Sequence, residues 1–274
     1  MDDRPIGVFD SGFGGLTVLS SLCTALPHEE FVYVADTLHL TYGSRSSQEI
    51  IAYTKSVLDW LVTKNAKAVV FASNAPSVIA LPILRDQYDS AFFGLVDAGV
   101  NSVMHYQELI GADLGSLGII GAKNTIATRV HENALRTAGF MGEIYTQTCP
   151  LFVHLVEEGI YDENVLQSVI SYYLRPLLEK KIECLLLAGT HYSVIYENLQ
   201  NFFDGKVQIL DPNYMIAREV VDYLESHSLM RTSDSLGSVE FAVTGNVATF
   251  QSSYSRFIHI DDSRIREPYF VELG

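Results

Sequence analysis

The chain has 274 residues with a formal net charge of −15, and 48% of its residues are hydrophobic. The acidic balance argues against a nucleic-acid backbone as the main partner, and no apolar stretch approaches the roughly 20 residues that a membrane helix needs. Because the N-terminus lacks a basic start followed by an apolar segment, we expect a cytoplasmic protein without a signal peptide. The three cysteines show no CxxC spacing, which gives no sign of a disulfide framework or of a metal site.

Short apolar runs alternate with segments of helical periodicity along the chain. The predicted strands cover residues 4–9, 30–35, 68–72, 91–95, 117–120, 143–148, 184–188, 207–211 and 239–244, the last of these being the final strand. The predicted helices cover residues 16–25, 50–62, 76–88 with an interruption at Pro82, 100–110, 126–138, 163–181 and 212–227. Because every crossover is long enough for parallel pairing, this alternation predicts a doubly wound α/β fold.

Two of the buried strands end in polar residues directly before a helix. One runs into Ser73 and Asn74, and the other, in the second half of the chain, runs into Thr190 and His191. Ligands of parallel α/β sheets bind beyond the carboxyl ends of the strands. These four residues are therefore the first candidates for a site.

A glycine-rich loop, residues 12–15, follows the first strand, with Asp10 and Ser11 in front of it. A dinucleotide-binding loop would carry a third glycine where this chain has Thr17, so the pattern is a weak match to that fingerprint. Glycines at a strand end also let the backbone approach another group closely. The loop therefore predicts a close backbone approach beside Asp10 and Ser11.

Four motifs stand in order along the chain: Val8-Phe9-Asp10-Ser11-Gly12 with Gly14-Gly15-Leu16-Thr17-Val18-Leu19, Tyr42-Gly43-Ser44-Arg45-Ser46, Cys149-Pro150-Leu151-Phe152-Val153 with Leu155-Val156-Glu157, and Thr190-His191-Tyr192. Together they resemble the glutamate racemases of the aspartate/glutamate racemase superfamily, over nearly the full length of the chain. The resemblance implies two pseudo-symmetric, doubly wound parallel-sheet lobes, formed by residues 1–97 plus 210–274 and by residues 98–209. It also implies that the site lies in the cleft between the lobes, with Ser73 and Gly189 on opposing walls.

The resemblance implies a reaction without cofactor or metal, in which two cysteines remove and return the α-proton of glutamate on opposite faces. D-glutamate then feeds peptidoglycan synthesis, and members of the family are commonly homodimers. This chain departs from the family at the chemistry, because Ser73 and Gly189 stand at the two cysteine positions. Asp10, Glu157 and His191 match the residues that assist the thiols.

The positions that bind the substrate are better preserved than the thiols. By resemblance they are Ser11, Tyr42, Gly43, Asn74, Ala75, Thr125 and Thr190. Ala75 replaces a usual threonine, and further departures are Thr41 and Ser193 for proline and Ala122 for threonine. The pocket is thus altered in several places, while the retained positions favour binding of glutamate or a related small acid.

Proton removal from an amino-acid α-carbon needs a base whose pKa can be brought near the working pH. A thiol with an ordinary pKa of about 8.5 can be tuned there, whereas a serine hydroxyl needs a second base. Three interpretations stay open. The chain is a glutamate-racemase-like binder of a small acid with racemisation impaired or lost, a working racemase that uses Asp10 and His191 as base and acid, or a non-catalytic interaction module. In the first and third cases, Asp10 and His191 are polar groups that orient the turns, and Glu157 is a surface charge.

Overall fold

A computed structural model describes residues 2–40, 42, 45–258 and 260–273. The strands are β1 (Ile6–Asp10), β2 (Phe31–Ala35), β3 (Ala68–Phe71), β4 (Ala91–Gly94), β5 (Ser116–Gly121), β6 (Glu143–Thr148), β7 (Cys184–Ala188), β8 (Gln208–Leu210), β9 (Val239–Val243) and β10 (Tyr269–Phe270). The α-helices are α1 (Leu16–Ala25), α2 (Ser47–Thr63), α3 (Asn74–Ile79), α4 (Leu81–Leu84), α5 (Leu95–Ile110), α6 (Lys123–Ala127), α7 (Val130–Thr137), α8 (Pro150–Glu158), α9 (Glu163–Glu179), α10 (Tyr196–Phe203), α11 (Pro212–Ser226) and α12 (Val247–Tyr254). Short 3-10 segments cover Thr37–His39, Arg85–Gln87, Thr190–Ile195 and Asp262–Arg264. In this described part of the chain, no helix combines the length and the apolar character needed to cross a membrane.

The strands form two parallel sheets. One is six-stranded in the order β10-β9-β2-β1-β3-β4, and the other is four-stranded in the order β6-β5-β7-β8. The chain divides into a first unit, Met1–Leu95 with Ile216–Gly274, and a second unit, Val96–Met215, and each unit holds one sheet. The predicted α/β fold with parallel sheets in two lobes is confirmed. The domain limits at residues 97 and 210 stay a prediction.

The core of the first unit forms where α2 packs on the six-stranded sheet. Strands β1, β2 and β3 are buried along their whole length, as expected for parallel strands that are covered on both faces. Phe9 and Phe71 pack with Leu58 of α2 in one apolar cluster. The helix begins at a capping box, in which the Ser46 hydroxyl accepts from the Glu49 amide and the Glu49 carboxylate accepts from the Ser46 amide.

The core of the second unit forms between its four-stranded sheet and helices α5 and α7. Leu117 and Leu186, on neighbouring strands, pack with Val103 of α5 and Leu135 of α7. Strand β7 is buried along its whole length, as its continuous apolar sequence predicts. Both sheets are therefore rigid supports for the loops at their strand ends.

The structure corrects several predicted elements. The helix predicted for residues 126–138 is divided at Arg129, whose φ of 52° lies in the left-handed region. The helical segment before this break is α6, which begins earlier than predicted and includes Thr125. The strand at Val239–Val243 is not the final one, since β10 follows as an edge strand of two residues, too short to show a periodic pattern. Helices α8 and α12 were not predicted. The interruption at Pro82 is confirmed, because α3 ends before it and the proline lies in the first turn of α4, where its missing N–H has no helical partner.

Candidate functional site

The carboxyl ends of β1, β2 and β3 lie side by side in the first unit, and we call this line of strand ends the first carboxyl edge. In the strand register Asp10 is opposite Ala35, and Phe9 is opposite Phe71. The residues that follow these strands are consequently neighbours. The hydroxyl oxygens of Ser11 and Ser73 are 2.7 Å apart and share a hydrogen bond.

Asp10 ends β1 and is buried. Its carboxylate accepts hydrogen bonds of 2.9 Å from the Gly15 amide and of 2.9 Å from the Tyr33 hydroxyl. Burial, reinforced by the neighbouring Asp10, raises the pKa of Tyr33 well above its ordinary value, so the phenol stays a donor. These bonds fit a role in which Asp10 holds the glycine loop in place.

The glycine loop approaches the strand ends as closely as the sequence predicts. A Cβ atom on Gly15 would lie 2.7 Å from the Asp10 Cβ and 2.8 Å from the Ala72 carbonyl oxygen. Both are atoms of the sheet edge that cannot move away without distorting a strand. Glycine is therefore required at this position by close packing.

Asp36, directly after β2, is a buried polar residue that the sequence analysis did not single out. Its carboxylate accepts hydrogen bonds from the Tyr42 hydroxyl at 2.5 Å, from the Thr244 hydroxyl at 2.6 Å and from the His39 Nδ1 atom at 2.9 Å. An acidic residue at a strand end, on the strand beside Asp10, was the signal that could have identified it. Asp36 ties the loop after β2 to the carboxyl end of β9.

Tyr42 was predicted to contact the substrate through the second motif. Its ring is buried, and burial together with Asp36 raises its pKa far above the ordinary value, so the hydroxyl is a permanent donor to Asp36. Gly43, the other predicted contact in this motif, lies outside the described residues, as does Thr41.

Asn74 begins α3 directly after Ser73. Its side-chain oxygen Oδ1 is buried, and no described residue donates a hydrogen bond to it. Most buried polar atoms of this kind have a partner. The neighbouring Ala75 is half-buried and packs against the apolar core of the first unit. The residue directly after Ser73 thus contains a buried acceptor without a hydrogen-bond donor among the described residues.

The second unit has a comparable turn after β7. Gly189 is extended, with a φ of −169°, and leads into the 3-10 segment Thr190–Ile195. A Cβ atom on Gly189 would lie 2.9 Å from the ring of Tyr192. That ring is buried, packs edge-to-face on Phe152 at 5.5 Å, and its hydroxyl donates to the Cys149 carbonyl at 3.3 Å. The space above Gly189 is therefore occupied by an aromatic ring.

His191 and Glu157 meet beside the Gly189 turn. The His191 Nε2 atom lies 3.1 Å from a Glu157 carboxylate oxygen, and this hydrogen bond lowers the pKa of Glu157. Glu157 is thus paired and half-buried, in contrast to the solvated charge considered above. Thr190, next to His191, is buried.

Thr125 lines a small cavity in the second unit. The cavity measures about 170 Å³ out to its open mouth and also contains His131 and Thr146. Burial lowers the pKa of His131 to about 4, so its imidazole is neutral at physiological pH. Sequence reasoning missed His131 because nothing in its neighbourhood along the chain marks it.

The three cysteines are free and buried. Burial raises the pKa of Cys23 and of Cys184 to about 12 and moves that of Cys149 strongly in the same direction. None of them supplies a thiolate near neutral pH. Among the described residues, no three His, Cys, Asp or Glu side chains are grouped so that they could hold a metal ion.

The comparison with known proteins is consistent with this fold of two α/β units, each with a parallel sheet whose strands end in polar residues. Residues 16–220 match the sequence model of the family described as Asp/Glu/Hydantoin racemase. The chain belongs to this family.

Within the family, the similarity is to glutamate racemases. Glutamate racemase 1 of Caldanaerobacter subterraneus subsp. tengcongensis is 32% identical over 264 residues, which cover 95% of this chain and 96% of that protein. The glutamate racemase of Thermoanaerobacter pseudethanolicus is 35% identical over 250 residues, 91% of each chain. The crystal structure of glutamate racemase from Francisella tularensis subsp. tularensis SCHU S4, in complex with D-glutamate, superimposes with a TM-score of 0.87 at 28% identity and covers 99% of this chain and 98% of that one.

Proposed function

We propose that this chain binds glutamate or a related small acidic amino acid through its strand-end turns, and that racemisation by a pair of thiols is lost. Two findings support the binding half of the proposal. The chain belongs to a racemase family, and a relative of the same fold was crystallised with D-glutamate. By resemblance, the ligand contacts are Ser11, Tyr42, Gly43, Asn74, Ala75, Thr125 and Thr190.

The unpaired Oδ1 atom of Asn74 is the observation that carries the proposal. A buried acceptor without a donor costs about 1–3 kcal/mol, and the ammonium group of an amino acid is a donor that would satisfy it. In the residue directly before Asn74, the Ser73 hydroxyl shares a hydrogen bond of 2.7 Å with the Ser11 hydroxyl. Each of these hydroxyls can rotate to donate to a ligand carboxylate. Together, these groups complement the two charged groups on the α-carbon of an amino acid.

The loss of the thiol mechanism follows from the residues at the two turns. Ser73 offers a hydroxyl that no described base activates, since its hydroxyl partner is Ser11, and Gly189 has no side chain. The remaining cysteines are buried, with raised pKa values. A general acid or base typically contributes about 10²–10⁴ to a rate, and the effects of two are not additive. We therefore expect inversion of glutamate to be slower by several orders of magnitude than in a cysteine-bearing relative.

Thermal unfolding in the presence of L-glutamate, D-glutamate, L-aspartate and glutarate tests the binding. A ligand at 100 times its Kd stabilises the folded state by about 2.7 kcal/mol, which raises the melting temperature measurably. The shift should disappear in Asn74→Ala and persist in Asn201→Ala, a matched change at an exposed position of α10. No response to any of these acids at millimolar concentration would contradict the proposal and favour the interaction module. An equal shift of the melting temperature in both variants would show that Asn74 does not contact the ligand.

The remaining predictions from the sequence are not tested by thermal unfolding. Three expectations stay predictions: the position of Ser73 and Gly189 on opposing walls of one cleft, assembly as a homodimer, and a cytoplasmic location. A role in peptidoglycan precursor supply requires net inversion of glutamate, so we propose it only if turnover is detected.

A further inference from the structure

A histidine and a carboxylate form a hydrogen-bonded pair at the first carboxyl edge. The Nδ1 atom of His39 lies 3.0 and 2.9 Å from the two carboxylate oxygens of Asp36. Because a carboxylate only accepts hydrogen bonds, Nδ1 carries the hydrogen, and in the neutral ring Nε2 carries the lone pair. The imidazole is therefore held in the tautomer that a general base needs.

The His39 ring is fixed from two sides. It stacks on Tyr53 of α2, with ring centroids 3.8 Å apart and ring planes at 10°. Asp36 is fixed in turn by the hydroxyls of Tyr42 and Thr244. The His39 side chain is nevertheless 29% exposed. It combines a defined orientation with access to a molecule arriving from solvent.

The pair lies beside the residues proposed to bind the ligand. The Asp36 amide donates to the Asp10 carbonyl at 2.9 Å, which places the strand end of β2 directly next to that of β1. Neighbouring strands are about 4.8 Å apart, so Asp36 is one strand from Ser11 and two strands from Ser73. Leu40, the residue after His39, approaches Gly12 so closely that a Cβ there would lie 3.0 Å from its methyl group. His39 therefore shares the edge with the two serines.

Other polar groups of this edge are poor candidates for a base. The Asp10 carboxylate is buried and accepts from the Gly15 amide and the Tyr33 hydroxyl. Serine hydroxyls are not bases near neutral pH. Among the described residues of the first carboxyl edge, His39 is the one imidazole, and imidazole is the side chain whose ordinary pKa suits proton transfer at physiological pH.

We propose that His39, oriented by Asp36, is a general acid and base that exchanges the α-proton of a bound acidic amino acid on one face. The inference rests on the proposed binding function. It differs from the two-thiol scheme in that one group removes the proton and the same group returns it. The expected activity is exchange of the α-hydrogen with retention of configuration.

The step balances without an added reagent. The Cα–H bond breaks, its proton moves to His39 Nε2, and the electron pair left on Cα delocalises into the α-carboxylate. Donors such as the Ser11 and Ser73 hydroxyls stabilise the charge that develops there, while the Asp36 carboxylate lies against the imidazolium. The Nε2 proton exchanges with solvent before it returns to Cα, so in D₂O the amino acid gains one deuterium.

Incubation of the protein in D₂O with L-glutamate and D-glutamate separately tests this scheme. Proton NMR measures loss of the α-proton signal, and chiral chromatography measures inversion. We expect one enantiomer to lose its α-proton signal without inversion. His39→Gln should slow the exchange by at least about 100-fold and leave the glutamate-induced thermal shift in place. His105→Gln is the matched control, because His105 also lies near a carboxylate three positions away, Glu108 at 3.7 Å, on α5.

Each outcome bears on one of the two proposals. A thermal shift with glutamate but no exchange overturns the role of His39 and leaves the binding function standing. Exchange that persists in His39→Gln, with a melting temperature close to that of the unmodified protein, also overturns it. Inversion that disappears in His191→Gln contradicts the one-face scheme and assigns the chemistry to a second base. Absence of any thermal shift overturns the binding function and this inference together.

Discussion

The turns after β3 and β7 share a backbone design and differ in the chemistry that they present. Each follows a strand that is buried along its whole length. Each begins with an extended residue, Ser73 with a φ of −136° and Gly189 with a φ of −169°, before the chain becomes helical. Ser73 shares a hydrogen bond with Ser11, whereas Gly189 lies under the ring of Tyr192.

The comparison shows that two turns with the same backbone conformation can carry different side chains. Both turns follow a buried strand and begin with an extended residue, and both have this backbone although neither carries a thiol. The polar partners nearby, Asp10 in one unit and the Glu157–His191 pair in the other, are held by their own hydrogen bonds.

The largest expected effect is restoration of both thiols. Ser73→Cys or Gly189→Cys alone should leave inversion of glutamate near the level of the unmodified chain, because each restores one face. The double variant should raise inversion by at least about 100-fold, and Ala75→Thr should help further. Chiral chromatography of glutamate after incubation measures this. A Ser73→Ala and Gly189→Ala double variant is the control, and a single cysteine as active as the pair would contradict the family resemblance.

The glycine loop after β1 and the turn after β7 should also differ in their tolerance of a methyl group. A methyl group at position 15 would press against the Ala72 carbonyl oxygen and the Asp10 Cβ, which belong to the edge of the sheet. Gly189 meets a tyrosine ring, which can tilt. Overpacking typically costs 1–3 kcal/mol, so we expect Gly15→Ala to lose about 3 kcal/mol and Gly189→Ala about 1 kcal/mol in urea unfolding. A larger loss for Gly189→Ala would show that the Tyr192 ring is rigid.

A double-mutant cycle sharpens the description of the first turn. Ser11→Ala and Ser73→Ala should show a coupling free energy of about 0.5–1.5 kcal/mol, the net value of one hydrogen bond. Urea denaturation of the four proteins gives this number. Ser73→Ala combined with Ser168→Ala, at an exposed site on α9, should be additive. A coupling near zero for the first pair would mean that the two hydroxyls bond to water instead.

The smallest expected effect concerns the polar pair of the second turn. The hydrogen bond from His191 lowers the pKa of Glu157 below its ordinary 4.5. A depressed carboxyl pKa adds stability above the unfolded value, and this stability is lost as the pH falls through the folded value. Because the pair is partly exposed, Glu157→Gln should cost about 0.2–1 kcal/mol at pH 7 and reduce the loss of stability on acidification below pH 4.5.

Denaturant titrations between pH 6 and pH 3 measure that difference. Glu158→Gln, at the exposed neighbouring position, is the matched control and should leave the acid limb unchanged. An identical acid limb for Glu157→Gln and the unmodified protein would show that the pair does not contribute to stability.

The positions of the strand-end turns could be predicted from the sequence. A run such as residues 184–188 is apolar over its whole length because both faces of a parallel strand are buried. The polar residues that follow it mark the end of that burial. The same local logic failed for β10, which has two residues, and for residues 126–138, where a left-handed Arg129 divides one expected helix.

The hydrogen-bond partners at the turns were decided by the tertiary structure alone. The periodicity of a segment indicates how that segment is buried. It does not indicate which strands become neighbours in the sheet. The order β10-β9-β2-β1-β3-β4 is not the order of the chain. It brings Thr244 of the last third of the chain to Asp36 and Tyr33 to Asp10.

The identity of residues 73 and 189 follows directly from the sequence. The absence of a thiol at both positions therefore follows from it too. The unpaired Asn74 Oδ1 and the His39–Asp36 pair are properties of the folded chain. Whether a polar atom is satisfied depends on every group packed around it, and those groups come from segments far apart in the sequence. For this reason sequence motifs identified the turns, and only the three-dimensional arrangement identified which of their polar atoms lack a hydrogen-bond partner among the described residues.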